Sequence, residues 1–299
     1  MEEIQNLISD LQEIIQRGEE RMITAVRQHQ NRVLAALIDE ANGLETRRDG
    51  TLKPNRANRR KLAKLKARLV EVAESQSYYT EIRRFKQTFE KLEAVNAAYF
   101  SQEFSSFQRF LTQDMRDAAL ARVEDTMIVN ALNAGLKQPI TEIIDSYLQG
   151  GNLNDLKQTF RDNIPTSFVE QDGVLGVDRA GYLEANTGRY VRDSLNQFNR
   201  AMSGAMANAT GAEWFFYSGS LVNDSRKFCE DRAGKFWYVE EVRSWAKLRW
   251  QGRNYATTSD NIFQLLGGYN CRHQLLAVSE NRVPDSAISR AIAAGLYTP

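Results

Sequence analysis

Cysteine and histidine are scarce: 299 residues carry two of each. So few cysteines exclude a secreted scaffold built on disulfides and point to synthesis in a reducing cytosol. Proline is scarce as well. Five occur, and Pro54 alone falls in the first 135 residues, which leaves room for long unbroken helices. No charge of one sign dominates, since 39 Lys and Arg against 38 Asp and Glu leave +1. Contact with a polyanion would therefore need a local patch. No apolar run reaches about 18 residues, so no transmembrane helix is expected. The opening "MEEIQNLISDLQEIIQRGEE" is acidic and amphipathic and lacks the basic start and apolar core of a signal peptide. The remaining composition, 42% hydrophobic and 26% charged, is that of a soluble chain with a real core, long enough for two domains.

Apolar periodicity organises the first half. Ile4, Leu7, Ile8, Leu11, Ile14 and Ile15 fall at three- and four-residue steps, and Met22, Val26, Val33, Leu37 and Ile38 continue them. This predicts a helix of about 40 residues. "GLETRRDGTLKPNRANRR" interrupts it with two glycines and Pro54 and reads as a turn. The stripe resumes at Leu62, Leu65, Leu69 and Val72, shifts slightly, and runs through Tyr79, Ile82, Phe85, Phe89, Leu92 and Asn96. Two such helices need each other's stripes and should fold back as an antiparallel hairpin. Helices are also expected over roughly 104 to 134, in "ITEIIDSYLQ" with Thr141 as its cap, and in "NLNDLKQTFRDN". "TSFVEQDGVLGVDRAGY" reads as loop, and a long helix from about 177 to 209 follows. His29 is expected on a polar helix face. From 211 the texture changes. "EWFFYSGSLV" and "RHQLLAVSE" read as strands, "VEEVRSWAKLRW" as a short helix and "DSAISRAIAAGL" as a closing helix capped by Asp285 or Ser286. The fold class is thus mainly α: a long helical hairpin and following helix (1–135), a helical body (136–210), and a small α+β domain (211–299).

Two clusters carry chemistry. The first is cationic: Arg47, Arg48, Lys53, Arg56, Arg59, Arg60, Lys61, Lys64, Lys66 and Arg68 stand against Asp49 alone. At the exposed tip of a hairpin this is either a solvated face or a site for the backbone of double-stranded DNA. No aromatic interrupts it, so base stacking and sequence preference are not expected.

The second cluster holds both cysteines. "NDSRKFCEDRAGKFW" carries Cys229, and "GGYNCRHQLLAV" carries Cys271 and His273. On one strand, residues two apart share a face, so Cys271 and His273 can converge with Cys229. Two thiolates and an imidazole suit zinc, with Asp224 or Glu230 as a further ligand. The alternative is a small core of inert thiols and a hydrogen-bonded histidine. A nucleophilic pair is disfavoured, since no orienting acid or oxyanion loop is apparent.

The same residues resemble the C-terminal signature of the phage Mu F-like head morphogenesis family, the minor head proteins of tailed phages. Asp224, Arg226, Cys229, Gly234, Lys235, Gly267, Gly268, Cys271, Arg272 and His273 occur in the family order, and the likeness spans roughly 180 to 280. The family often has a further Cys or His where this chain has Lys227 and Arg232. The resemblance implies a non-enzymatic minor capsid protein inside the phage head, synthesised in the bacterial cytoplasm. Its expected partners are the portal protein, the major capsid protein or inner capsid surface, and packaged double-stranded DNA, with no membrane contact. The competing readings are a coiled-coil protein that binds DNA without sequence preference, and a hydrolase or transferase using Cys271 and His273.

Overall fold

The structure is a computed structural model that describes residues 2–107, 113–147, 150–171, 174–219, 221–223, 225–268 and 271–298. It is mainly helical, with a small α+β region near the C-terminus. Helix α1 spans Glu2–Asn42, α2 Arg56–Ala73 and α3 Gln76–Glu103. Two compact units divide the chain: 1–18, 87–120 and 192–299 form one, and 19–86 with 121–191 form the other. Each is assembled from discontinuous segments, whereas the sequence reading divides the chain at 135 and 210.

In the unit holding 19–86 and 121–191, α1 runs antiparallel to α2 and α3. Glu40 pairs with Lys64, His29 meets Ala73, and Arg21 pairs with Glu81. The expected stripe is the buried one: Met22, Val26, Val33 and Leu37 of α1, and Leu62, Leu65, Leu69, Ile82 and Phe85 opposite. The second arm is not one helix. It breaks at Glu74 and Ser75, where the stripe shifts phase.

The break explains His29. Expected on a polar face, it is fully buried. Its Nε2 donates to the Ala73 carbonyl at 3.1 Å, one of the acceptors that the end of α2 leaves without a helical partner. Its ring stacks on Tyr78, centroids 4.5 Å apart. Burial, with Arg32 nearby, pushes its pKa down to about 4.

Helix α4 (Gln113–Glu124) runs into a π-helical segment, Asp125–Lys137, and on into α5 (Gln138–Ser146). Thr141 is therefore no cap. It lies inside α5, and its hydroxyl donates to the Lys137 carbonyl. Helix α6 (Leu153–Asn163) starts at Asn152, whose side chain accepts from the Asn154 N–H. The stretch read as loop forms two antiparallel strands, β1 (Ser167–Gln171) and β2 (Val174–Arg179). Helix α7 then begins at Tyr182 and ends at Thr210. Its first turn is fixed by Glu184, a buried carboxylate that accepts two 2.8 Å bonds from Arg27 and one from Thr166.

In the other unit, β3 (Trp214–Ser218) lies between β4 (Lys235–Tyr238) and β5 (Gln274–Val278), all antiparallel. Both expected strands form, and β4 joins them unforeseen. All five residues of β3 are buried. Trp214 and Phe216 pack with Phe236, Tyr238, Leu276 and Val278 against Ile4 of α1 and Ala287 of α9 (Asp285–Ala293). Helix α9 starts after Pro284 without a side-chain cap, so neither Asp285 nor Ser286 caps it. Phe215 and Tyr217 point to the opposite face, toward Phe263, Trp245 and His273. The outer carbonyls of β5 are covered: Tyr99 donates to Ala277 and Ser203 to Leu275. A covered edge cannot recruit a further strand.

Candidate metal centre

Cys229 sits in the one-turn helix α8 (Lys227–Glu230), and its N–H donates to the Arg226 carbonyl at 2.7 Å. The exit from α8 is tied to the sheet, because the Gly234 N–H donates to the Tyr217 carbonyl. Gly234 has φ 74, a conformation glycine adopts without strain. Lys235 opens β4, and its ammonium returns to the Asp231 carbonyl. Arg232 is buried among rings. Its guanidinium lies 3.9 Å from the Phe228 centroid and 4.6 Å from that of Trp245.

The other half of the site enters through Gly267 and Gly268. Gly268 has φ 92, and a Cβ there would stand 1.9 Å from the Gly252 carbonyl oxygen. Gly267 faces the sulfurs themselves: a Cβ on it would lie 2.6 Å from Cys229 Sγ and 3.0 Å from Cys271 Sγ. Trp250 Nε1 donates to the Gly267 carbonyl and holds the turn. Cys271 and His273 precede β5, which pairs only from Gln274 onward. The expected strand thus starts later, yet Cys271 and His273 are both buried.

Among the described residues, Cys229, Cys271 and His273 form a group of possible metal ligands, all buried, with ligand atoms within 4.8 Å of one another. Cys271 Sγ and His273 Nδ1 are 3.8 Å apart. Sulfur and nitrogen on one tetrahedral zinc, at ~2.3 and ~2.0 Å, would be about 3.5 Å apart. The donor set and spacing therefore fit a soft divalent cation. Glu230 is exposed and outside the group, and Asp224 lies outside the described residues. The Tyr217 hydroxyl, rather than a carboxylate, adjoins the sulfurs and donates to Cys229 Sγ at 3.4 Å.

Electrostatics divides the two thiols. Cys271 is drawn well below the ordinary cysteine range, first by the hydrogen bond from Cys229, then by His273 and the Arg200 charge, against the effect of burial. Cys229, the donor in that bond and itself buried, is pushed up. Tyr217 is also held well above its usual value by burial and the adjacent sulfurs. His273 Nε2 is buried and has no hydrogen-bond partner among the described residues. The ring is positioned by Tyr217, 5.4 Å away, and by close approach of Gly219.

Residues outside the motif complete the site. Arg200 of α7 is buried, and its Nη1 donates to the Cys271 carbonyl at 3.2 Å. Asn199 donates to Gln274, and Asn96 of α3 donates to Asn199. This amide relay anchors the start of β5. Asn96 stood in the apolar stripe as a polar exception, which is the one sign of it in sequence. Of the remaining signature residues, Arg226 packs over Gly252, where a Cβ would meet its Nε at 2.5 Å. Arg272 is exposed.

The cationic turn is less free than expected. It is docked rather than remote: the Leu52 N–H donates to Gly151, and Leu153 donates to Gly50 at the start of α6. Four of the ten cations are paired, Lys61 with Glu45, Lys64 with Glu40, Lys66 with Asp145 and Arg68 with Glu71. Arg47, Arg48, Lys53, Arg56, Arg59 and Arg60 are exposed and form no ion pair among the described residues.

No helix of the described residues is long and apolar enough to cross a membrane. The chain matches no family model, no curated protein and no solved structure.

Proposed function

We propose that this chain is a structural minor head protein of a tailed bacteriophage, associated with the portal vertex and the inner capsid surface and contacting packaged DNA. One observation carries the reading. The residues on which the resemblance rests are far apart in sequence, yet Cys229, Cys271 and His273 meet in one buried cluster, with Gly267 and Gly268 each at a position where a side chain would collide. Such a constellation suits a shape-holding centre better than a reactive one. All three side chains are buried, and no carboxylate among the described residues joins them to relay a proton. Zinc is the metal we assign to it, with Cys229, Cys271 and His273 as ligands, and its role there is to pin α8 to the lead-in of β5. A small domain gains most from such a staple.

The six free cations support contact with DNA through its phosphates. The test is association. Co-sedimentation with the portal ring encoded beside this gene is expected, as are terminase and portal genes immediately upstream. A protein that stays monomeric and apart from portal overturns the reading.

A further inference from the structure

Positions 229 and 271 are 42 residues apart, yet both sulfurs rest against the bare Cα of one glycine. The distances of 2.6 and 3.0 Å from a Cβ on Gly267 describe a floor that no side chain occupies. The sulfurs lie within 4.8 Å of each other, and a disulfide needs ~2.05 Å. The surrounding backbone is independently anchored: Arg200 holds the Cys271 carbonyl, Trp250 holds the Gly267 carbonyl, and Arg226 accepts the Cys229 N–H.

We propose that Cys229 and Cys271 form a redox-convertible staple: a dithiol open to metal in a reducing compartment, and a disulfide once a hydroperoxide has oxidised it. The chemistry balances in two steps. The Cys271 thiolate attacks one oxygen of hydrogen peroxide, giving a sulfenic acid and hydroxide. The Cys229 sulfur then attacks the sulfenic sulfur, the S–S bond forms, and the departing hydroxyl leaves as water with the Cys229 proton. Two electrons pass from the sulfurs to the peroxide. The biological setting rests on the virion reading above, because a particle that leaves the cell leaves the glutathione pool that keeps thiols reduced. The metal would then staple the domain during assembly and the disulfide would staple it afterwards, across the same two segments.

The test uses the full chain, freed of metal by chelation and treated with stoichiometric hydrogen peroxide. Both thiols should disappear together, and the intact mass should fall by two hydrogens. The peptides containing Cys229 and Cys271 should be joined, and dithiothreitol should reverse each change. The thermal midpoint should rise on oxidation and return on reduction. In Cys229→Ser the second step is blocked, so Cys271 should gain one oxygen and react with dimedone. The wild-type measurement stands without that variant if it does not fold. Oxygen added to separate cysteines without a cross-link overturns the proposal, as do thiols that stay unreactive while the fold persists. These outcomes are independent of portal binding: a protein that cross-links but ignores portal removes the virion setting and leaves the staple, and the reverse result removes only the staple.

Discussion

At Gly267 a single methyl group has no room. A Cβ would press on Cys229 Sγ at 2.6 Å and on Cys271 Sγ at 3.0 Å, and both sulfurs are hemmed in by Tyr217 and His273. Gly267→Ala should therefore destabilise the protein by about 1–3 kcal/mol, the range of overpacking in closed cores. It should also lower zinc uptake, read by thermal unfolding and by metal content after loading. A variant with wild-type stability and zinc would mean that the sulfurs sit elsewhere. His29 offers a second test at the same scale. Its folded pKa, about 4, lies below the ordinary 6.5 because burial disfavours the charged ring. Its contribution is fully present above about pH 6.5, where both states are neutral. It falls as pH drops toward 4, because the unfolded chain takes up the proton first. The 2.5-unit gap at ~1.36 kcal/mol per unit corresponds to roughly 3 kcal/mol lost below pH 4. Denaturant titrations of wild type and His29→Gln from pH 7 to 4 should diverge by a large part of that amount. Parallel curves would show that the ring is hydrated.

Among the elements, the long helices and the strands β3 and β5 announced themselves, and β1, β2 and β4 did not. The stripes of α1, α2 and α3 were legible because one face of each is buried, which leaves the 3.6-residue period in the sequence. Even the break at Glu74 and Ser75 was visible as a phase shift. The hairpin β1–β2 was not, because Phe168, Val169 and Val177 are all exposed, so neighbouring positions on both faces carry apolar residues and no alternation survives. Strand β4 was lost inside the cysteine motif: four residues are too few to show a period. The three candidate ligands were legible from type and spacing, whereas Arg200, Tyr217 and the Asn96–Asn199–Gln274 relay come from elements distant in sequence and carry no local signal. His29 was misplaced for a related reason, since its partner is a carbonyl created by the helix break. The cationic turn depends on another buried polar residue. Asn58 donates to the carbonyls of Glu45 and Lys53 and accepts from the Glu45 N–H. Asn58→Ala should leave those backbone groups unsatisfied and cost about 1–3 kcal/mol. Trypsin should then cut faster at Arg47 and Arg48 while helical circular dichroism is retained. An unchanged cleavage rate would show that the helix ends alone hold the turn.

For the molecule as a whole, net charge says little about DNA, and the pairing of individual cations says more. A Lys or Arg already bound to a carboxylate has to break that pair before it meets a phosphate. Lys61, Lys64, Lys66 and Arg68 are in that position. The remaining six cations release counterions without such a loss, and contact with four to six phosphates gives a log–log salt slope of about −4 to −5 at ~0.9 per phosphate. Binding should be weak and indifferent to sequence, because backbone contacts read no bases. Arg56→Ser, Arg59→Ser and Arg60→Ser together remove three free cations and should flatten the slope by about 2.7, equally for all duplexes. Lys64→Ser and Lys66→Ser together should change it much less, although they delete comparable charge. That contrast separates a phosphate site from a general attraction, which would respond to net charge alone. Fluorescence anisotropy with two unrelated duplexes between low and physiological salt is the measurement. Equal effects of the two sets of substitutions would show that the pairs are too loose to matter. No binding even at low salt, where screening is weakest, would show that the six cations serve only to keep the turn solvated.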